Sequence, residues 1–138
     1  MDIPMQSDAL GKLILRLTVG VLLLFHGVAK MMHPAGAMEY IGKSLTASGL
    51  PTWLAYLAYV GEVVAPIMII LGLFSRIGGL IVVIHMLFAF MLVHTAQLAT
   101  LANSGGWAVE LQAFYLLGGL AIFFLGSGKI ALKADSEY

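Results

Sequence analysis

Residues 52–74 read TWLAYLAYVGEVVAPIMIILGLF, an apolar stretch interrupted by a single charge, Glu62. A helix of about 20 residues, rising about 1.5 Å per residue, covers a hydrocarbon core of about 30 Å. Similar stretches cover residues 10–29, 77–98 and 107–125. Backbone N–H groups in lipid need internal partners, and the alternation typical of a barrel is absent, so we expect helices. The sequence predicts an all-α membrane protein, a four-transmembrane-helix bundle forming one domain over residues 1–138.

The composition excludes several classes of function. The 138 residues are 61% hydrophobic and 10% charged, against about 25% charged in soluble domains. Net charge is zero and no basic run is present, which argues against a nucleic-acid partner. The chain has no cysteine, so disulfides, thiolate nucleophiles and Cys-ligated metal centres are excluded. Any redox role therefore requires a bound cofactor or a partner protein.

The segment between the first two stretches has the pattern of a short helix. Pro34 can open it, and Gly49 followed by Pro51 can end it. Met38, Ile41 and Leu45 share one helical face, typical of an interfacial helix lying on the membrane. An ordinary loop with fortuitous spacing is the alternative.

Basic residues predict the orientation, because cytoplasmic loops are enriched in Lys and Arg. The side that holds both termini carries Lys12, Arg16, Arg76, Lys129 and Lys133. The other side carries only Lys30 and Lys43. We expect a multi-pass membrane protein with both termini in the cytoplasm. Residues 1–9 carry Asp2 and Asp8 but no Lys or Arg, which does not resemble a signal peptide, so the first span should be retained.

Among the Lys, Arg, His, Asp and Glu residues within the spans, Arg16, Glu62 and His85 lie nearest the span midpoints. A charge at the bilayer centre costs about 2.5–3.5 kcal/mol on insertion scales, so such residues usually pair and mark a functional site. Glu62 and His85 are near the middle of their spans, and Arg16 is about 5 Å from the midpoint of its span by helical rise. We predict an Arg16–Glu62 ion pair with His85 beside it. The pair could instead only fix helix register, and His85 could be a neutral histidine bonded to a neighbouring helix.

Other polar groups carry weaker predictions. Pro66 cannot donate to the Glu62 carbonyl, which could leave a polar notch for water or a ligand, or only shape packing. Lys30 is expected to extend to the headgroups. His26, His94 and Glu110 lack metal-ligand spacing, and we expect no metal site. His85 and His94 are nine residues apart, which predicts opposite helix faces.

An ordered series of landmarks resembles the DoxX family of small bacterial membrane proteins. These are Arg16, Gly27-Val28-Ala29-Lys30, Gly49-Leu50-Pro51, Glu62, Leu71-Gly72-Leu73-Phe74-Ser75-Arg76, Glu110-Leu111 and Gly126-Ser127-Gly128. The resemblance implies a four-helix bundle of the cytoplasmic membrane associated with quinone-linked redox or detoxification systems. Family members commonly end in Gly-Pro-Gly and a Ser-Leu-Asp-like tail. Here Ser127, Ala131 and Lys133 replace the proline, serine and aspartate.

The resemblance and the buried charges together lead to three hypotheses. The first is a membrane subunit of a quinone-linked redox or detoxification system that acts with a soluble redox partner. In it, Glu62 and His85 carry the chemistry, and Arg16, Glu62, His85 and Phe88 hold a membrane quinone. The second is a small proton-coupled transporter, in which a homo-oligomer could replace the internal repeat that this sequence lacks. The third is a membrane scaffold or anchor without a ligand.

Overall fold

The computed structural model describes residues 7–135, so Asp2 and residues 136–138 lie outside the described part. Within it the chain forms an all-helical bundle without a β-strand. The helices are α1 (Asp8–Met32), α2 (Pro34–Ala47), α3 (Thr52–Leu71), α4 (Ser75–Leu92) and α5 (Glu110–Leu125). A short 3₁₀ turn at Thr95–Gln97 lies in the α4–α5 connection.

The surface of the bundle suits a bilayer. Helices α1, α3 and α4 are long and apolar enough to cross a membrane, and α5 is a shorter apolar helix. Large apolar side chains lie exposed around the bundle, among them Phe25, Met91, Phe114 and Phe124. In water so much exposed apolar surface would drive association. The chain is therefore a membrane protein.

The buried core joins α1, α3, α4 and α5. Its members are Val19, Leu23, Ala65, Ile69, Val82, Met86, Tyr115 and Ile122. Helices α4 and α5 approach most closely where Gly79 faces the Gly119 carbonyl, at a distance that leaves no space for a Cβ. Small residues at such crossings allow backbones to pack in lipid, where no hydrophobic effect drives helices together.

The end of the chain folds back onto the α3–α4 turn. Leu132 N–H donates to the Leu71 carbonyl and Lys133 N–H to the Gly72 carbonyl. The Asp135 carboxylate accepts from the Ser127 and Arg76 backbone N–H groups at 3.1 and 3.3 Å. This tail, residues 126–135, therefore docks on its own chain despite its departures from the family pattern.

Helix α2 forms as its pattern predicts, which excludes the loop alternative. Its apolar face, however, packs on the first turns of α3, and Leu45 is buried. Ile41 and Leu45 line an internal cavity. Much of the face expected to contact lipid is thus covered by the protein itself.

The predicted helix boundaries differ from the observed ones by up to six residues. Helix α4 ends at Leu92, six residues before the predicted end of the apolar stretch. His94 N–H donates to the Ala89 carbonyl, and Thr95 Oγ1 donates to the Phe90 and Met91 carbonyls, which closes the helix. Trp107 precedes α5 because its indole N–H donates to the Leu98 carbonyl in the connection. Hydropathy does not report such capping bonds.

Candidate functional site

A widened turn in α3 presents Glu62 to the bundle interior. Residues Val60–Val64 form a π-helical turn, in which Ala65 N–H donates to the Val60 carbonyl. Such turns insert an extra residue into a helix and often occur at functional sites. The Glu62 carbonyl that Pro66 cannot bond faces α1, where Gly27 lies so close that a Cβ would collide with it. The predicted open notch was therefore wrong, because the α1 backbone covers it.

The Glu62 carboxylate is held by side chains from two other helices. Lys30 Nζ on α1 donates to Oε1 at 2.7 Å. His85 Nε2 on α4 lies 3.1 Å from Oε2. Glu62 is only 5% exposed, so the ammonium and the imidazole take the place of water around its charge. Lys30, Glu62 and His85 are called the carboxylate cluster below.

The backbone of the same helices fixes the cluster geometry. Gly61 lies against the His85 imidazole, with no space for a Cβ between them. The imidazole can therefore approach α3 closely enough to contact the next residue, Glu62. Tyr59 Oη donates to the Lys30 carbonyl at 3.1 Å and ties the end of α1 to α3.

Arg16 does not belong to this cluster, and the predicted Arg16–Glu62 pair was wrong. Its guanidinium donates to the carbonyls of Ile69, Ile70, Ser127 and Ile130. Ile69 lies about 10 Å beyond Glu62 along α3 by helical rise. The carbonyls at the end of α3 and in the tail satisfy the guanidinium, so it needs no carboxylate.

The partner of Glu62 is Lys30, which sequence reasoning assigned to the headgroups. Gly27 lies opposite Glu62, and Lys30 follows it one helical turn later on the same face of α1. That register was the missing signal, because it brings the long lysine side chain back to the carboxylate. An expected headgroup contact is thus replaced by a buried ion pair.

A cavity of about 510 Å³ adjoins the carboxylate cluster. Small-molecule sites commonly have volumes of about 300–1,000 Å³ and apolar walls with a few polar groups. All three cluster residues line this cavity, as does Phe88, so the structure brings together three of the four predicted ligand-holding residues. The other walls are formed mostly by apolar side chains, which come from all five helices.

Two further histidines face the same cavity. His26 packs edge-to-face on Tyr115, with ring centroids 5.8 Å apart. His94 contacts Gln97 Oε1 at 2.6 Å and Gln112 Nε2 at 3.4 Å. The prediction that His85 and His94 point to opposite faces was wrong, because α4 ends at Leu92 and the chain turns before His94. Among residues 7–135, no three His, Asp or Glu side chains are placed to share a metal ion.

The carboxylate cluster can form hydrogen bonds with a neutral polar group of a ligand. Lys30 is a donor, Glu62 is an acceptor, and His85 can be either, depending on which ring nitrogen carries the proton. One end of the cavity thus offers both hydrogen-bond directions to a ligand, while most of the remaining wall is apolar, with His26, His94 and Gln112 among the polar exceptions. This arrangement suits a ring with carbonyl or hydroxyl groups attached to an apolar body.

Comparison with known proteins gives a consistent family assignment. The family model described as DoxX matches residues 11–95. "Putative oxidoreductase CatD" of Bacillus subtilis (strain 168) is 27% identical over 92% of this chain and 87% of its own length. An "Uncharacterized protein" of Haemophilus influenzae (strain ATCC 51907 / DSM 11121 / KW20 / Rd) is 35% identical over 90% of this chain and 87% of its own. No solved structure matches the chain.

Proposed function

The chain belongs to the DoxX family, and we propose that it is the membrane subunit of a quinone-linked redox or detoxification system. The observation that carries the proposal is the carboxylate cluster at one end of a cavity of about 510 Å³ whose other walls are mostly apolar. A relative named as an oxidoreductase supports a redox role. A ligand-free scaffold would not need a charged cluster beside a cavity of this size.

The cluster residues fit a quinone by their hydrogen-bonding capacity. A bound quinone supplies redox chemistry by taking up two electrons and two protons to become a quinol. Lys30 and His85 would donate to its carbonyl oxygen, and Glu62 would hold and pass a proton at the same place. Phe88 would pack against the apolar body of the ring. Arg16 has no part in this site, because carbonyls occupy its donors.

The electrons must come from another protein or cofactor. The chain has no cysteine, so it cannot ligate an iron–sulfur cluster through thiolates or cycle a dithiol. We propose a soluble redox partner on the cytoplasmic side. Lys12, Arg76, Lys129 and Lys133 lie at the bundle end where the tail meets the α3–α4 turn, and this charge favours that side as the cytoplasm.

The proposed topology has four spans, α1, α3, α4 and α5, with α2 at the outer interface and both termini in the cytoplasm. A cysteine introduced at Ser44 or Ser104 should react with an impermeant thiol reagent added to intact cells. A cysteine introduced at Lys129 should react only after lysis. The native chain gives no background, since it has no cysteine. Labelling at position 129 in intact cells would reverse the orientation.

The quinone proposal is tested by extracting the purified protein. Wild type and variants are isolated from bacterial membranes directly into lipid nanodiscs, and bound quinone is quantified by mass spectrometry. His85→Leu should lower the quinone content at least tenfold, because leucine suits the site but cannot donate a hydrogen bond. His33→Leu is the matched control, since His33 is exposed between α1 and α2 and does not line the cavity.

The possible results distinguish an error in the proposed quinone site from an error in the proposed function. Equal quinone content in wild type and His85→Leu, at matched thermal stability, would show that the carboxylate cluster is not the quinone site. Absence of quinone from wild type, together with no binding of added quinone, would leave the scaffold hypothesis in its place.

A further inference from the structure

Helices α3 and α4 are in contact on one side of the carboxylate cluster and separate on the other. Towards the α3–α4 turn, Gly78 packs on Ile69, and at the cluster His85 packs on Gly61. Beyond His85, the next turns of α4 face the cavity through Phe88 and Leu92. The opposite wall is formed by the beginning of α3, where Leu54, Leu57 and Ala58 lie on one helical face.

The cavity is open sideways between these walls. Leu57 on α3 and Phe88 on α4 both line it, yet each is 52% exposed. Ile84 also lines it and is 48% exposed. A side chain that borders a cavity and also faces outward marks the edge of an opening. These edges are apolar and lie within the apolar belt of the bundle, so the opening faces lipid rather than water.

The paired charges of Lys30 and Glu62 favour a neutral ligand group over a charged one at the carboxylate cluster. Lys30 and Glu62 neutralise each other at 2.7 Å. A ligand with a full charge would meet an already paired partner and would lose its hydration in a largely apolar space. A neutral head with a hydrogen-bonding oxygen meets no such cost.

We infer that the opening between Leu57, Ile84 and Phe88 is a subsite for the apolar chain of a neutral amphiphile, whose polar head lies at the carboxylate cluster. We call it the chain slot. This inference rests on the proposed function and extends it. The ligand enters from the bilayer, and the protein selects chain-bearing molecules over the bare head group.

The test compares two probes that differ only in the chain. They are 2,3-dimethoxy-5-methyl-1,4-benzoquinone with and without a decyl group, titrated against protein in nanodiscs. Ile84→Trp narrows the chain slot and should weaken binding of the decyl probe at least tenfold. It should change binding of the chain-free probe less than twofold. Leu57→Trp, on the opposite edge, repeats the experiment in case one variant folds poorly.

The matched control is Leu87→Trp, on the same helix at a neighbouring depth. Leu87 is exposed but does not line the cavity, so both probes should bind as they do to wild type. His85→Leu should weaken both probes, because it removes a contact to the head group.

Each remaining result has one meaning. If His85→Leu weakens the decyl probe while both slot variants bind it like wild type, the head site stands and the chain slot is wrong. If a slot variant weakens both probes equally, the opening serves the head rather than the chain, and the inference is also wrong. If wild type binds neither probe, the proposed function fails and this inference fails with it.

Discussion

Arg16 and Glu62 are both charged and both buried, at 1% and 5% exposure, but their surroundings differ in kind. Arg16 is surrounded by backbone carbonyls from the end of α3 and from the docked tail, groups that cannot rotate as side chains do. Glu62 is held by two side chains that can rotate, beside a cavity. Fixed partners suit a structural role, whereas movable partners and adjacent space suit a ligand site. Burial of a charge alone therefore does not identify function.

The largest expected effect is the loss of stability caused by replacing Arg16. Arg16→Met removes the guanidinium from four carbonyls, of which the Ile69 carbonyl keeps the Gly72 N–H as a donor. Each unsatisfied buried group costs about 1–3 kcal/mol. We expect the variant to lose at least about 3 kcal/mol of stability, measured by reversible unfolding in detergent. Lys12→Met is the control on the same helix, because Lys12 pairs with a largely exposed Asp8 and should contribute less than about 1 kcal/mol. A stable Arg16→Met protein would show that the tail does not depend on the guanidinium.

The next effect is a coupling energy, which tests whether the two regions are separate. Lys30→Met and Glu62→Gln should each destabilise the protein, and the double variant should be less harmful than the two effects added together. Residues in direct contact typically couple by about 0.5–3 kcal/mol. Arg16→Met with Glu62→Gln should instead be additive within about 0.5 kcal/mol, since the two side chains have different partners. Coupling between Arg16 and Glu62 would join the two regions into one network.

The sequence predicts the bundle well because length and apolar content decide a membrane helix. It also predicts Glu62 and His85 as neighbours, since both lie near the middle of adjacent spans. The predicted partner of Arg16 was wrong because the depth of each residue was measured from the midpoint of its own span. Aligning the ends of the two antiparallel spans gives a different neighbour. Pairing the ends of the first two spans sets Arg16 opposite about residues 65–68, and the structure places its guanidinium on the Ile69 and Ile70 carbonyls.

Three other features depend on local contacts that composition does not report. Lys30 lies at the end of an apolar stretch, where lysines commonly extend to headgroups. Only the close approach of Gly27 to Glu62 turns it towards the carboxylate. His94 enters the cavity because capping bonds end α4 at Leu92. The amino-acid composition of Val60–Val64 likewise does not predict a π-helical turn, although Pro66 lies close to it in the sequence.

A smaller change should affect the ligand site more than the fold. Gly61→Ala places a methyl group where the His85 imidazole lies, so His85 must move away from Glu62. We expect bound quinone to fall to the level of His85→Leu, with a modest loss of thermal stability. Gly36→Ala is the matched control, because a Cβ there meets nothing within 4 Å and alanine favours a helix by about 1 kcal/mol over glycine. Normal quinone content in Gly61→Ala would show that the His85–Glu62 contact is not needed for binding.

The smallest effect comes from an exposed pair with the same chemistry as Lys30–Glu62. Lys43 Nζ lies 3.4 Å from Glu39 Oε1 on α2, and both side chains are mostly exposed. Water and salt screen such a pair, so Glu39→Gln should change stability by less than about 0.5 kcal/mol. High salt should remove even that difference, because the Debye length falls to about 3 Å at 1 M. The effect of Glu62→Gln should persist in the same salt, since the buried pair is shielded from solvent ions. Equal salt dependence of the two substitutions would mean that water reaches the carboxylate cluster freely. The surroundings of Glu62 would then differ from those of Arg16 by their hydration, and not by having partners that can move.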